Sequence, residues 1–176
     1  MIIDSSTALP PWHQRRGFTL IEVSLVLLSC VFAAILAGWW VGQIRQRARC
    51  DRFVEDLRTF STAFHGYRQK QGKWPAGNNG AVVIPAGMER SLQETNWLKP
   101  TPLGGNYSWG APSPTPAEGK ALEVGTLRVT AFPPNQPLEV SAADLLYIDG
   151  QIDDGNLATG NFRTGFNGWP VYLVKF

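Results

Sequence analysis

Few side chains in this sequence stand where they could do chemistry, and two sets of carboxylates carry most of the information. The first is a single residue, Glu22, at the head of a stretch from Val23 to Ile44 that contains no formal charge and no proline. An ionisable group inside a membrane-length apolar segment costs about 2.5–3.5 kcal/mol or more, so it needs a partner. The second is a trio, Asp149, Asp153 and Asp154, in Ile148-Asp149-Gly150-Gln151-Ile152-Asp153-Asp154-Gly155-Asn156. Their spacing is not that of an EF-hand, and no acidic residue follows Asp154. A plain reading makes them a helix C-terminus and turn, with Gly155 left-handed and the aspartates bonding the loop backbone.

Other reactive residues do not form a constellation. The histidines are His13 and His65, and no metal-ligand pair, phosphate loop or nucleophile elbow is present, so the chain is not expected to be an enzyme. The two cysteines, Cys30 and Cys50, would lie ~30 Å apart on a continuous helix. A disulfide needs Cα atoms within ~5.5 Å, so the two cannot pair within one chain. Cys30 then reads as a small apolar residue, and Cys50 as a free thiol or an intersubunit contact. The net charge of +2 gives no global argument for nucleic acid.

These groups need elements to position them. From Val23 to Ile44 the chain runs for roughly 22 uncharged residues, enough as a helix to cover the ~30 Å core of a bilayer. Ala34, Gly38 and Gly42 recur every fourth residue and share one helix face, where small side chains allow close helix packing. Trp39 and Trp40, followed by Arg45, Arg47 and Arg49, form an interfacial belt. Beyond it, Phe53, Leu57, Phe60, Phe64 and Tyr67 draw one apolar stripe at helical spacing, which ends at Gly72 and Trp74-Pro75. The two runs join into one predicted helix, Phe18 to Lys70, about 80 Å long. Its first part, residues 18–44, is the transmembrane half; residues 45–72 form an amphipathic half that packs on a sheet.

Residues 73–176 form a small, β-rich globular domain. A loop with a short apolar patch (81–84) precedes one or two helical turns over 87–94 that bury Met88 and Leu92. Thr101 to Trp109 reads as a turn feeding a strand, and Ala111 to Gly119 as a Pro/Ser/Thr loop. Ala121 to Phe132 alternates as one strand, or two around Gly125. Ser141 caps a short helix with Leu145, Ile148 and Ile152 on one face. Val171 to Phe176 closes the chain as a buried strand. The fold class is α+β: a long N-terminal helix on a small antiparallel sheet.

The segment Arg15-Arg16-Gly17-Phe18-Thr19-Leu20-Ile21-Glu22 resembles the processing site of type IV pilins and type II secretion pseudopilins. Tyr67 to Pro75 is similar to the tyrosine-to-proline exit of the long helix in many pseudopilins. Thr101 to Trp109 is similar to their Pro-x-Gly-x-x-Tyr lead-in to the first strand, with Leu103 and an extra glycine as departures. The resemblance implies a leader, residues 1–17, removed by a prepilin peptidase after Gly17, and an N-methylated Phe18. It implies an assembly role for Glu22, whose carboxylate would neutralise the new α-amino group of a neighbouring subunit. Because the apolar run follows the cut, it is retained, unlike that of a secretory signal peptide. The implied location is the bacterial inner membrane, single-pass, with the leader cytoplasmic and the C-terminal domain periplasmic, and afterwards the filament itself. The implied partners are the peptidase, other pilin or pseudopilin subunits, the inner-membrane assembly platform and the membrane. Since major pseudopilins bind calcium in a C-terminal loop, the resemblance also implies a calcium site at Asp149, Asp153 and Asp154.

The expected function is therefore a structural subunit of a pseudopilus or pilus. One alternative is a minor pilin acting as an adhesin or DNA-uptake binder through Arg45, Arg47 and Arg49, although Glu55 and Asp56 interrupt the basic surface. Another is a lipoprotein acylated at Cys30, after Leu27-Leu28-Ser29. There the second leucine sits where a small residue is usual, and the apolar run continues past Cys30.

Overall fold

A computed structural model describes residues 18–78, 80–117, 120–132 and 137–175. The leader, including Gly17, lies outside the described residues. The chain divides into two compact units, one reaching Gly42 and the other running from Gln43 to the C-terminus.

Helix α1 is Leu20–Gln71, 52 residues. Thr19 starts it, its hydroxyl accepting from the N–H of Glu22 at 3.3 Å. Gly72 ends it at φ 70, its N–H donating to the Arg68 carbonyl at 2.8 Å. Arg68 and Lys70 in the last turn complement the negative end of the helix dipole. The observed limits fall within two residues of the predicted 18–70. From Cys50 onward the spacing of apolar residues takes effect: Phe53, Leu57, Phe60 and Phe64 are fully buried, as is Val54, while Tyr67 is half-buried. Phe64 stacks on Trp109 with ring centroids 3.9 Å apart, and Phe60 meets Tyr107 edge-on at 4.7 Å. Each such ring contributes on the order of 1.5–3 kcal/mol by burial alone. Two polar groups enter this core and are satisfied there. Asp56 accepts from the Tyr107 hydroxyl at 2.7 Å and from the Asn96 side chain at 2.9 Å.

Met88 and Leu92 flank a single turn of helix, α2 (Glu89–Leu92), and both are fully buried, as expected. The sheet is antiparallel, with strands β1 (Asn106–Ala117), β2 (Lys120–Thr130), β3 (Phe162–Thr164) and β4 (Pro170–Val174) in the order β1-β2-β4-β3. Leu127 and Val129 of β2 face the helix and are buried. Gly125 is required by packing: a Cβ there would run into the Trp109 ring. The closing strand is interior, as its apolar run predicts.

One expectation is corrected. Residues 111–117 are not a loop but the second half of β1, paired with β2 beyond an irregularity between Gly110 and Ser113. Proline is tolerated on an edge strand because one side of that strand has no ladder to serve. Beyond the irregularity Pro114 and Pro116 alternate with Ser113 and Thr115, so the donors these two prolines lack fall on one side of the strand. The short strand β3 was not anticipated at all.

Helix α3 (Ala142–Ile152) begins with a capping box. The N–H of Asp144 donates to the Ser141 hydroxyl at 3.2 Å, and the Asp144 carboxylate accepts from the Ser141 N–H at 2.9 Å. It lies along the C-terminal half of α1. Gln46 donates to Asp144 at 3.0 Å, Tyr147 to Asp51 at 2.8 Å and Arg58 to the Gln151 carbonyl at 2.9 Å. Leu145 and Ile148 fill the space between.

Candidate functional site

The carboxylate trio is brought together by the end of α3 and the turn into β3. One oxygen from each of Asp149, Asp153 and Asp154 lies within 4.8 Å of the other two. Asp149 stands in the last turn of α3, and Asp153 caps the helix end, its N–H donating to the Asp149 carbonyl at 2.7 Å. Asp149 is 0% exposed, and neither of its carboxylate oxygens has a hydrogen-bond partner. Burial and then the charges of Asp154 and Asp153 push its carboxyl above the usual range. The nearby N–H of Asn156 pulls the other way, though it donates its hydrogen bond, at 2.9 Å, to Asp154.

The other two aspartates are engaged, as the plain reading predicts. Asp154 also accepts from the Thr159 hydroxyl at 2.6 Å, and these bonds hold its carboxyl below the usual range. Oδ2 of Asp153 accepts from the N–H of Asn161 and, at 2.9 Å, from that of Phe162, the first residue of β3. Gly155 is left-handed at φ 77, as expected. At Gly160 a Cβ would occupy the space of the Asp153 carboxylate, so glycine is needed for the turn to close on it. Asn161 was missed from sequence, and its side-chain oxygen is buried without a partner. A sequence signal existed only in its position, directly after the Thr159-Gly160 turn.

At the other end of the chain, Phe18 is 80% exposed and Glu22 stands exposed in the first turn of α1. The large apolar side chains that follow are also exposed, among them Leu25, Leu28, Phe32, Ile35 and Trp39. The helix is long and apolar enough to cross a membrane, with a mean hydropathy of 2.6 in its most apolar stretch. Cys30 is exposed and Cys50 buried, both as free thiols. Burial, followed by the charge of Asp144, pushes the Cys50 thiol up to about 11, so it stays protonated at neutral pH and is no nucleophile. The arginine cluster is not a uniform stripe either. Arg49 donates to the Pro102 carbonyl at 2.6 Å and pairs with Glu139 at 3.2 Å. No family model, curated protein or solved structure matches this chain.

Proposed function

We propose that the chain is a structural subunit of a type II secretion pseudopilus or type IV pilus, matured by a prepilin peptidase and assembled through the head of α1. The observation that carries this reading is the row of exposed apolar side chains from Phe18 to Ile44 with one carboxylate, Glu22, in its first turn. Such a surface has to be covered, by lipid before assembly and by neighbouring helices after it. Cleavage after Gly17 would leave an α-amino group on Phe18. That amine and the Glu22 carboxylate of a neighbour each carry a burial cost that only mutual pairing offsets, which would set the register of one subunit on the next. In this reading the chain is the peptidase's substrate and performs no catalysis. It is anchored in the bacterial inner membrane until the assembly platform draws it into the filament.

The experiment is the intact mass and N-terminal sequence of the full chain recovered from membranes, with and without a prepilin peptidase. A chain that begins at methylated Phe18 only when the peptidase is present supports the proposal. A chain that begins at acylated Cys30, or one left uncut, refutes it. In assembling cells, Glu22→Gln should reduce filament yield by about 100-fold or more, since removing one partner of a buried pair costs about 3–5 kcal/mol.

A further inference from the structure

We infer that a pocket on the sheet face turned away from the core receives the C-terminal residue of another polypeptide, its carboxylate paired with Arg128 and its apolar side chain held against Phe132 and Trp169. The inference is independent of the filament reading and rests on a cavity and on a cation without a counter-charge. Alternation along β2 puts Leu127 and Val129 into the core and turns Arg128 the other way, beside Val171, its partner on β4. There Arg128, Thr130 and Val171, with Gly80, Phe132 and Trp169, line a cavity of about 430 Å³. Phe132 and Trp169 meet edge-on with ring centroids 4.9 Å apart, and with Val171 they make an apolar wall. The guanidinium lies over the β1 backbone. A Cβ on Gly110 would stand 2.7 Å from its Nη2 and 2.9 Å from its Cζ, so glycine at that position makes room for it. Among the described residues no carboxylate pairs with Arg128, and its Nε is buried without a hydrogen-bond partner. Buried donors in native proteins are nearly always satisfied, so a guanidinium left in this state at the side of a cavity marks a missing acceptor.

The lining selects the anion. A phosphate group carries about two charges and is held by clusters of cations, whereas here a single arginine stands among apolar and hydroxyl groups. A carboxylate carries one charge and accepts parallel N–H bonds from one guanidinium. The exposure of Phe132 selects the body that bears it. At 54% exposed, Phe132 is the most open aromatic ring among the described residues after Ile44. An occupant lying against it stays partly in water, unlike a small molecule in its own site, where about 70–90% of the surface is covered. That fits the end of a chain that runs on into solvent. A C-terminal residue joins a carboxylate to an apolar side chain through one Cα, so one arginine beside one aromatic wall recognises both.

The test uses the full chain in detergent, titrated by calorimetry with a short glycine-serine peptide ending in phenylalanine, its C-terminus either free or amidated. The free acid should bind once per chain with a dissociation constant of roughly 0.1–1 mM, as expected for a contact the size of one residue. The amide should bind at least 10-fold more weakly, having lost the charge-assisted bonds. N-acetylphenylalanine should bind no more tightly than the peptide acid, since the pocket leaves the preceding chain in solvent. Arg128→Met should abolish the preference for the acid while leaving Tm unchanged or raised, because the partnerless donor is gone. Phe132→Ala should weaken acid and amide alike, about threefold or more, and keep the preference. No heat from the peptide acid at ~10 mM, or equal binding of acid and amide, would overturn the inference whatever the variants do. Binding of N-acetylphenylalanine at least 10-fold tighter than the peptide acid would overturn the choice of a chain end. An Arg128→Met variant that still prefers the acid would overturn the role of Arg128.

Discussion

Two stretches of the same helix follow opposite rules. Up to Gly42, α1 exposes its large apolar side chains all round; from Cys50 onward it buries them along one stripe. The first stretch, Leu20 to Gly42, carries one formal charge, Glu22, whereas Cys50 to Gln71 carries seven, spaced so that an apolar stripe is left between them. Phenylalanine occurs in both, exposed at Phe32 and fully buried at Phe64. An apolar residue in the first stretch contributes nothing to folding of the isolated chain and everything to whatever covers it. In the second, its contribution is already made within the chain. Hydrophobicity alone does not say which of these a residue does; the presence or absence of a polar opposite face does.

The sharpest way to break that comparison is one substitution made twice. Phe64→Ala removes a ring stacked on Trp109 and should cost about 3–5 kcal/mol of unfolding free energy in denaturant titration of the detergent-solubilised chain. Phe32→Ala should stay within about 0.5 kcal/mol in the same assay. Comparable losses at both positions would mean that the head of α1 packs within its own chain.

A smaller effect tests the polar part of the core. Burial and then the Asp56 carboxylate push the Tyr107 hydroxyl far above its usual range, so it remains a donor at any working pH. Tyr107→Phe should leave an Asp56 oxygen without that donor and cost about 1–3 kcal/mol, read from the urea midpoint.

The smallest effect concerns the α3 cap. Burial alone would raise the Asp144 carboxyl, but bonds from the Ser141 N–H and hydroxyl, then Gln46 and Cys50, hold it below the usual carboxylate range. A depressed carboxylate stabilises the fold above its unfolded pKa, ~3.9, and that contribution is lost as pH falls through the folded value. Ser141→Ala should cost about 0.5–2 kcal/mol at neutral pH and flatten the loss of stability below pH ~4, measured by thermal unfolding across pH. An unchanged acid limb would show that the cap does not set the Asp144 charge.

Legibility from sequence followed the range of the interactions. The stripe from Phe53 to Tyr67, the Ser141 cap and the helical turn after Met88 depend on neighbours within a few residues, and the chain spells them out. The trio of aspartates was visible as a group for the same reason. Which member is unsatisfied was not visible, because the burial of Asp149 and Asn161 depends on packing between α3, α1 and β3. Proline-rich composition masked the second half of β1, where pairing with β2 outweighs local preference. At three residues, β3 is too short for any alternation to register.

The alternating prolines of β1 have one more consequence. Open sheet edges are the places where strands of two molecules can zip together into cross-β aggregates. Pro112, Pro114 and Pro116 have no backbone N–H to offer, so this half of the β1 edge is a poor template for a second sheet. This half of the edge is thereby closed to strand-on-strand association without a bulge or a covering helix.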